Sequence, residues 1–223
     1  MTKVTLVVPF SVCLLFLNSS ILLFKDKEKV ALSPQSFYFS LLSWYKKVIR
    51  IIMEDKGYIL RRWKLTDTRR LAENANNINI WNNVRDYFPH PYSEKDAKVF
   101  INMTLQSKQP SDFAIVINDE AAGGIGFIQG KDVERLNAEI GYWLGEKYWG
   151  KGIMTNVLKD VADYIFTNTE IIRLFTCVFE YNIGSMKVLE KSGFRKVGVF
   201  KNAAIKNGKI IDMHYYELIK DSE

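Results

Sequence analysis

Cysteine is almost absent from this chain. Cys13 and Cys177 are its two, far apart and each in an apolar stretch, which excludes a disulfide framework and a thiolate metal cluster. Histidine is as scarce: His90 and His214 stand alone, so no metal site is expected. Proline is limited to five residues, and no Pro-, Gly- or Ser-rich linker, low-complexity run or internal repeat divides the chain. No Lys/Arg run interleaved with aromatics occurs, so nucleic acid is not an expected partner. Neither the three-glycine dinucleotide fingerprint nor a Walker phosphate loop is present.

What remains is a globular composition. The 223 residues are 48% apolar and 25% charged, enough for one domain with a sizeable core and an extension. The net charge of +6 favours anionic partners, among them a phosphorylated cofactor. The few cysteines suit a reducing, cytoplasmic compartment.

Residues 1–52 stand apart. Val4–Phe24 is nearly uncharged and long enough to span a bilayer. As a signal peptide it is poor, because only Lys3 precedes the apolar run and no small-residue cleavage site follows. As an anchor it would leave the basic residues after it, and the rest of the chain, in the cytoplasm. Met53, which opens "MEDKGYILRRWKL", reads as a natural start, with 1–52 an upstream extension from a mis-assigned one. The expected organisation is an extension over 1–52, membrane-associated only if genuine, and a domain over 53–223.

That domain reads as strand, helices, strands, helix, strand, helix, strands. "YILRRW" (58–63) is a strand; "TDTRRLAENANN" (66–77) is a helix with a Thr/Asp cap. "INIWNNVRDYF" (78–88) is a shorter helix stopped by "PHPY", and "SEKDAKVFINMTLQSK" (93–108) a helix with a serine cap. "DFAIVIN" (112–118) and "GGIGFIQG" (123–130) flank "DEAAGG", a hairpin signal, and "AEIGYWLG" (138–145) is a third strand. A helix over 153–169 buries Met154, Val157, Leu158, Val161 and Ile165. Strand 173–179, helix 182–193 and two strands joined at "KNGK" (206–209) complete the chain. The fold class is α+β (mixed α/β), around one central sheet.

The break Gly150-Lys151-Gly152 lies between a strand and a helix. Such a turn bares backbone N–H groups at a helix N-terminus, where the dipole favours an anion. Gly150 and Gly152 remove side chains from the approach, and Lys147 and Lys151 add positive charge. At this point a tight turn and an anion site both remain open.

"EIGYWLGEKYWGKGIMT" followed by "NIGSMKVLEKSGF", with "IWNNVRDYFPHPYS" upstream and "NGKIIDMHYYEL" at the end, resembles the GNAT superfamily of acyl-CoA-dependent N-acetyltransferases. Within it the chain looks most like the Rim-type ribosomal-protein N-terminal acetyltransferases, over about residues 57–220. The resemblance implies a GNAT-like fold: a central, mostly antiparallel six- to seven-stranded sheet flanked by helices. It implies acetyl-CoA as cosubstrate, no metal, an amine as partner, and a monomer or homodimer. Its pyrophosphate loop would be Lys147-Tyr148-Trp149-Gly150-Lys151-Gly152, with lysine where the family has Arg or Gln. The implied cofactor-binding set is Ile140, Tyr142, Trp143, Leu144, Lys147, Trp149, Gly150, Lys151, Gly152, Ile153, Met154, Thr155, Asn182 and Ser185. The strand Ile140–Leu144 would splay from its neighbour and pair with the pantetheine arm.

Acetyl transfer needs a neutral amine, a stabilised carbonyl oxygen and a proton for the thiolate. Glu139 is the candidate base by its place on the strand before the loop; a solvent-facing or ion-paired glutamate is the plain alternative. The family's usual acid, a tyrosine seven residues beyond an asparagine like Asn182, is replaced here by Leu189. The Rim-type branch has a serine, here Ser185, as candidate donor; otherwise it is a first-turn helix serine. Tyr181 is a spare hydroxyl nearby. A glutamate carried by some Rim-type enzymes is replaced around Asn202, Ala203 and Ala204. The acceptor side would draw on Trp81, Arg85, Tyr87, Phe88 and Tyr215, with Asp86, His90, Tyr92 and Tyr216 near them. The alternative to an enzyme is a non-catalytic acyl-CoA-binding sensor domain.

Overall fold

A computed structural model describes residues 22–25, 28–31, 56–107 and 111–220. By its contacts the chain divides into two units, Met1–Ile52 and Met53–Glu223. In the first, β1 (Leu22–Lys25) and β2 (Glu28–Ala31) pair antiparallel. The extension, anchor and start-site readings of 1–52 otherwise lie outside the described residues, as does Cys13. Among the described residues no helix is long and apolar enough to cross a membrane.

The second unit is built on β3 (Ile59–Arg62), α1 (Thr68–Ala75), α2 (Ile78–Trp81), α3 (Glu94–Gln106), β4 (Asp112–Ile117), β5 (Glu120–Gln129), β6 (Asn137–Leu144), α4 (Ile153–Asn168), β7 (Arg173–Phe179), α5 (Ile183–Lys191), β8 (Arg195–Lys206) and β9 (Lys209–Ile219). Its seven strands run in the order β3-β4-β5-β6-β7-β9-β8. Every pairing is antiparallel except β6–β7, which is parallel. Two cores form, because both faces of the sheet are apolar and each must be covered. On one, Ile125, Ala138, Ile140 and Leu174 pack with Val157, Leu158, Val161 and Ile165 of α4 and Leu189 of α5. On the other, Ala114, Val116 and Trp63 pack with Leu71, Ala72 and Ala75 of α1 and Ala97 and Ile101 of α3.

Three local expectations are corrected. The helix expected over 78–88 is only Ile78–Trp81. The residues after it spend their polar groups at long range: the Asn82 carbonyl accepts from Tyr181, Asp86 pairs with Lys206, and Arg85 with Glu139. Such tertiary bonds override weak helical periodicity. The β4–β5 turn is not "DEAAGG" but Asn118-Asp119, both left-handed (φ 49° and 62°), as a two-residue hairpin requires. Gly123 and Gly124 are interior to β5, because a Cβ there would collide with the Trp143 carbonyl or press on the Trp63 ring. The Asp67 side chain, expected as a helix cap, instead holds Arg61 through two hydrogen bonds of 2.7 Å.

The start of β3 is fastened to α4 through Asp160, which accepts from Tyr58 Oη (2.5 Å) and Lys56 Nζ (2.6 Å). Burial first, then the Asp160 carboxylate, push the Tyr58 phenol well above its ordinary value. The raised value means the neutral phenol is favoured by folding. Its contribution is therefore complete below the unfolded tyrosine value, about pH 10, and is lost as pH rises through the folded one. Melting curves across that range should show Tyr58→Phe less stable than wild type near neutrality, by about 1 kcal/mol, and less sensitive to alkali. Parallel curves would refute this.

Candidate active site

The strands β6 and β7 share three residue pairs, Asn137↔Arg173 to Glu139↔Phe175, and no ladder joins them beyond that. From Ile140 onward they diverge. Along a strand both backbone groups of one residue point to the same side, alternating from residue to residue. The Gly145 N–H donates to the Ala122 carbonyl on the β5 side (2.8 Å). The Leu144 carbonyl instead accepts from Trp149 Nε1 (2.7 Å). By this alternation Tyr142 also turns its N–H and C=O away from β5 and into the gap.

The gap opens into a cleft of about 1260 Å³. At one end is the glycine turn. Gly150 and Gly152 have φ of +73° and +74°, and nothing lies within 4 Å of where a Cβ would sit on either. Both glycines are thus required by backbone conformation as well as by access. Gly152 caps α4 without a side-chain hydrogen bond, and the first helical bond is Asn156 N–H to the Gly152 carbonyl, 3.2 Å. The leading N–H groups of a sixteen-residue helix are therefore free for an anion.

Of the expected cofactor residues, Ile140, Tyr142, Trp143, Leu144, Trp149, Gly150, Gly152, Ile153, Met154, Thr155, Asn182 and Ser185 line the cleft. Lys147 and Lys151 do not. Lys147 is turned to Glu120 (3.2 Å), and both ammonium groups lie over the Tyr148 ring, at 5.0 and 5.7 Å. The side-chain cations on the wall are instead Arg85, Lys95, Lys187 and Lys191; the last two, on α5, carry no expectation from the sequence. Their i, i+4 spacing, one helical turn beyond Asn182, was the available signal.

Asn182 Oδ1 accepts from the Ser185 N–H (3.1 Å), capping α5. The Ser185 hydroxyl lies 2.8 Å from Tyr142 Oη, with either able to donate. Burial pushes the Tyr142 phenol up, so it stays protonated across the neutral range. Tyr142 is among the expected cofactor residues, but the pairing of its hydroxyl with Ser185 comes from the docking of α5 on β6, which the strand pattern does not carry. Leu189, where the family's tyrosine would stand, is wholly buried in the core. Tyr181 is not spare: its hydroxyl donates to the Asn82 carbonyl at 2.7 Å.

On the other face, Glu139 Oε1 forms a short ion pair with Arg85, while Oε2 accepts no hydrogen bond from the described residues. Arg85 also approaches Cys177 Sγ at 3.7 Å. Burial pushes the Cys177 thiol up despite this cation. Arg85, Tyr87 and Phe88 line the cleft, as expected of acceptor-side residues, but Trp81 and Tyr215 do not. The Trp81 ring carries the ammonium of Lys206 (3.8 Å) and packs on His90, and Tyr215 stacks on Phe200 at 4.2 Å. Trp143 turns its ring to Phe88, away from the face of α4 and α5. Deeper in, the buried Trp63 Nε1 lacks a partner among the described residues.

Residues 58–195 match the family model described as an acetyltransferase (GNAT) domain. An uncharacterised N-acetyltransferase, p20, of Bacillus licheniformis is 33% identical over 56% of this chain and 71% of its own length. The ribosomal-protein-serine acetyltransferase of Escherichia coli is 32% identical over 59% of this chain and 74% of its own. Among solved structures, the ribosomal L7/L12 alpha-N-protein acetyltransferase RimL, in complex with coenzyme A, aligns with a TM-score of 0.67. That alignment covers 75% of this chain and 96% of RimL at 23% identity, a likeness of fold.

Proposed function

The chain belongs to the GNAT acetyltransferase family and is an N-acetyltransferase, and on that premise we propose that it moves the acetyl group of acetyl-CoA to a primary amine by direct attack, with both substrates bound together between β6 and β7. Residues 53–223 are the catalytic unit. The observation that carries this reading is the join of two features: a parallel ladder that ends after Glu139, and a helix start without a side-chain cap at the far end of the resulting gap. The first suits an amide-bearing arm, the second a pyrophosphate.

The residues divide as follows. The turn at Gly150–Gly152 and the first turn of α4 hold the pyrophosphate, with Lys187 and Lys191 facing the cofactor's phosphates across the cleft. The backbone of Tyr142 pairs with the pantetheine. Glu139 Oε2 takes the proton of the attacking amine, directly or through a water, while Arg85 fixes the other oxygen. The amine nitrogen bonds to the thioester carbonyl carbon and the carbon–sulfur bond breaks. Ser185 Oγ, accepting a hydrogen bond from Tyr142 Oη, gives its proton to the departing thiolate, and solvent returns a proton to Ser185 as Glu139 releases the one it took from the amine. Two hydroxyls at 2.8 Å thus serve where the family's tyrosine is missing.

Thiol release from acetyl-CoA by the full chain, across peptides with N-terminal serine or alanine, diamines and free amino acids, tests the reading. Turnover with at least one amine is expected. Coenzyme A binding without thiol release on any acceptor would make the protein a sensor and sink the catalytic assignment.

A further inference from the structure

Beyond the acyl gap, the cleft continues over the sheet face covered by α1 and α3. A row of three residues crosses it: Asp112 of β4 opposes Gly126 of β5, which opposes Gly141 of β6. Opposed residues of neighbouring strands share a face, so Asp112 stands at one end of a trough whose floor has no side chains. The space above Gly141 is open, with nothing within 4 Å of a Cβ position. A Cβ at Gly126 would overlap Asp112 Oδ1. The carboxyl group therefore leans over Gly126, toward β6 and the gap.

Among the described residues no cation meets the charge of Asp112. Its Oδ2 accepts from Ser111 Oγ at 2.9 Å. Among the described residues nothing donates to Oδ1, and no Lys, Arg or His forms an ion pair with either oxygen. The other carboxylates on the cleft wall are occupied: Glu139 by Arg85, and Asp96 by the Ser93 cap of α3. Burial pushes the Asp112 carboxyl up, the direction expected of an anion short of a counter-charge. Around the trough the wall carries the apolar Phe100, Met103 and Ile128. A half-buried carboxylate in such a setting is stabilised chiefly by a cation arriving with a ligand.

Resting on the acyl-transfer reading above, we propose that Asp112 receives a second positive charge of the acceptor, and that the acceptor is a small diamine-type cation. Its reacting primary amine lies in the gap beside Glu139. Its second ammonium sits on Asp112, and an alkyl spacer lies across Gly126 and Gly141. The Asp112 carboxyl lies over Gly126, one strand spacing (about 5 Å) from Gly141, and Glu139 lies two residues (about 7 Å) along β6 from Gly141, so the two nitrogens stand about 8 Å apart on the diagonal. An α,ω-diamine with a five-carbon chain fits that span.

The test compares cadaverine with pentylamine, which has the same chain and one amine, using the full chain and saturating acetyl-CoA. The expected preference in kcat/KM for the diamine is about 10- to 100-fold, the range of a charge-assisted hydrogen bond, and should lie mainly in KM. Asp112→Asn should bring the two amines within about threefold of each other, and Asp112→Glu, which keeps the charge, should restore part of the preference. Gly141→Val, which fills the trough, should cost the diamine more than the monoamine. Equal use of both amines by the wild type would overturn the proposal, as would a preference that survives Asp112→Asn. Turnover of peptides with neither amine used would also overturn it, while leaving acetyl transfer intact. Absence of coenzyme A binding would instead refute the reading on which it rests.

Discussion

Gly150→Glu should raise the dissociation constant for acetyl-CoA by more than about 100-fold while the protein stays folded. Gly150 is exposed, with φ of +73° and no atom within 4 Å of a Cβ position. A side chain there clashes with nothing in the protein itself. The backbone cost of a non-glycine residue in the left-handed region is about 1–2 kcal/mol, a few degrees of melting temperature in a domain of this size. The ligand meets a different situation. The new carboxylate stands at the mouth of the free N–H groups of α4, where it competes for the dipole and repels the pyrophosphate. Gly150→Ala separates the two effects, because it carries the backbone cost without the charge. Titration calorimetry on all three proteins, beside their melting curves, gives the answer. Unchanged affinity in the glutamate variant would mean that this turn does not hold the cofactor.

Ser185→Ala should lower kcat by about 100-fold, within the range of proton transfer by a positioned side chain, with the KM for acetyl-CoA changed little. The Asn182 cap bonds to the Ser185 backbone N–H, not to its hydroxyl, so α5 keeps its start in the variant. Tyr142→Phe should cost roughly tenfold, because Ser185 retains one proton but loses its donor. The double variant should be little worse than Ser185→Ala alone, since the two hydroxyls act as one chain. An acetyl thioester of a more acidic thiol supplies the decisive control. Its thiolate leaves without help, so the Ser185→Ala deficit should shrink sharply. A deficit that is the same for both thioesters would remove Ser185 from the proton path.

Much of the domain is legible in the sequence. Strand β7 falls where the run "RLFTCVF" places it, and α4 and α5 follow their apolar faces and flanking glycines. These segments carry their signal locally, in periodicity and caps. The misread ones owe their shape to distant residues. Asn82, Arg85 and Asp86 leave the helix for partners on β6, β8 and the loop after β7. Gly123 and Gly124 look like turn residues but serve close strand contacts with Trp143 and Trp63. The site divides the same way. The glycine turn announces itself because its chemistry is contiguous. Tyr142 beside Ser185, and Asp112 over Gly126, come together only through strand pairing and helix docking, which no local pattern encodes.

The parallel seam between β6 and β7 makes the sheet two leaves, β3 to β6 and β7 to β8, whose main-chain stitching along the seam, among the described residues, runs only over Leu136–Glu139. A ligand lying along Ile140–Leu144 and reaching the helix beyond it stands in for a strand. In its absence the gap-facing amides of β6 have no lattice partner, and their exchange with solvent reports local parting of the leaves rather than global unfolding. With it bound, binding energy becomes cohesion between the leaves, by mass action on the closed form. The cosubstrate is then a removable piece of the architecture, and each turnover ends by loosening the sheet that made it possible.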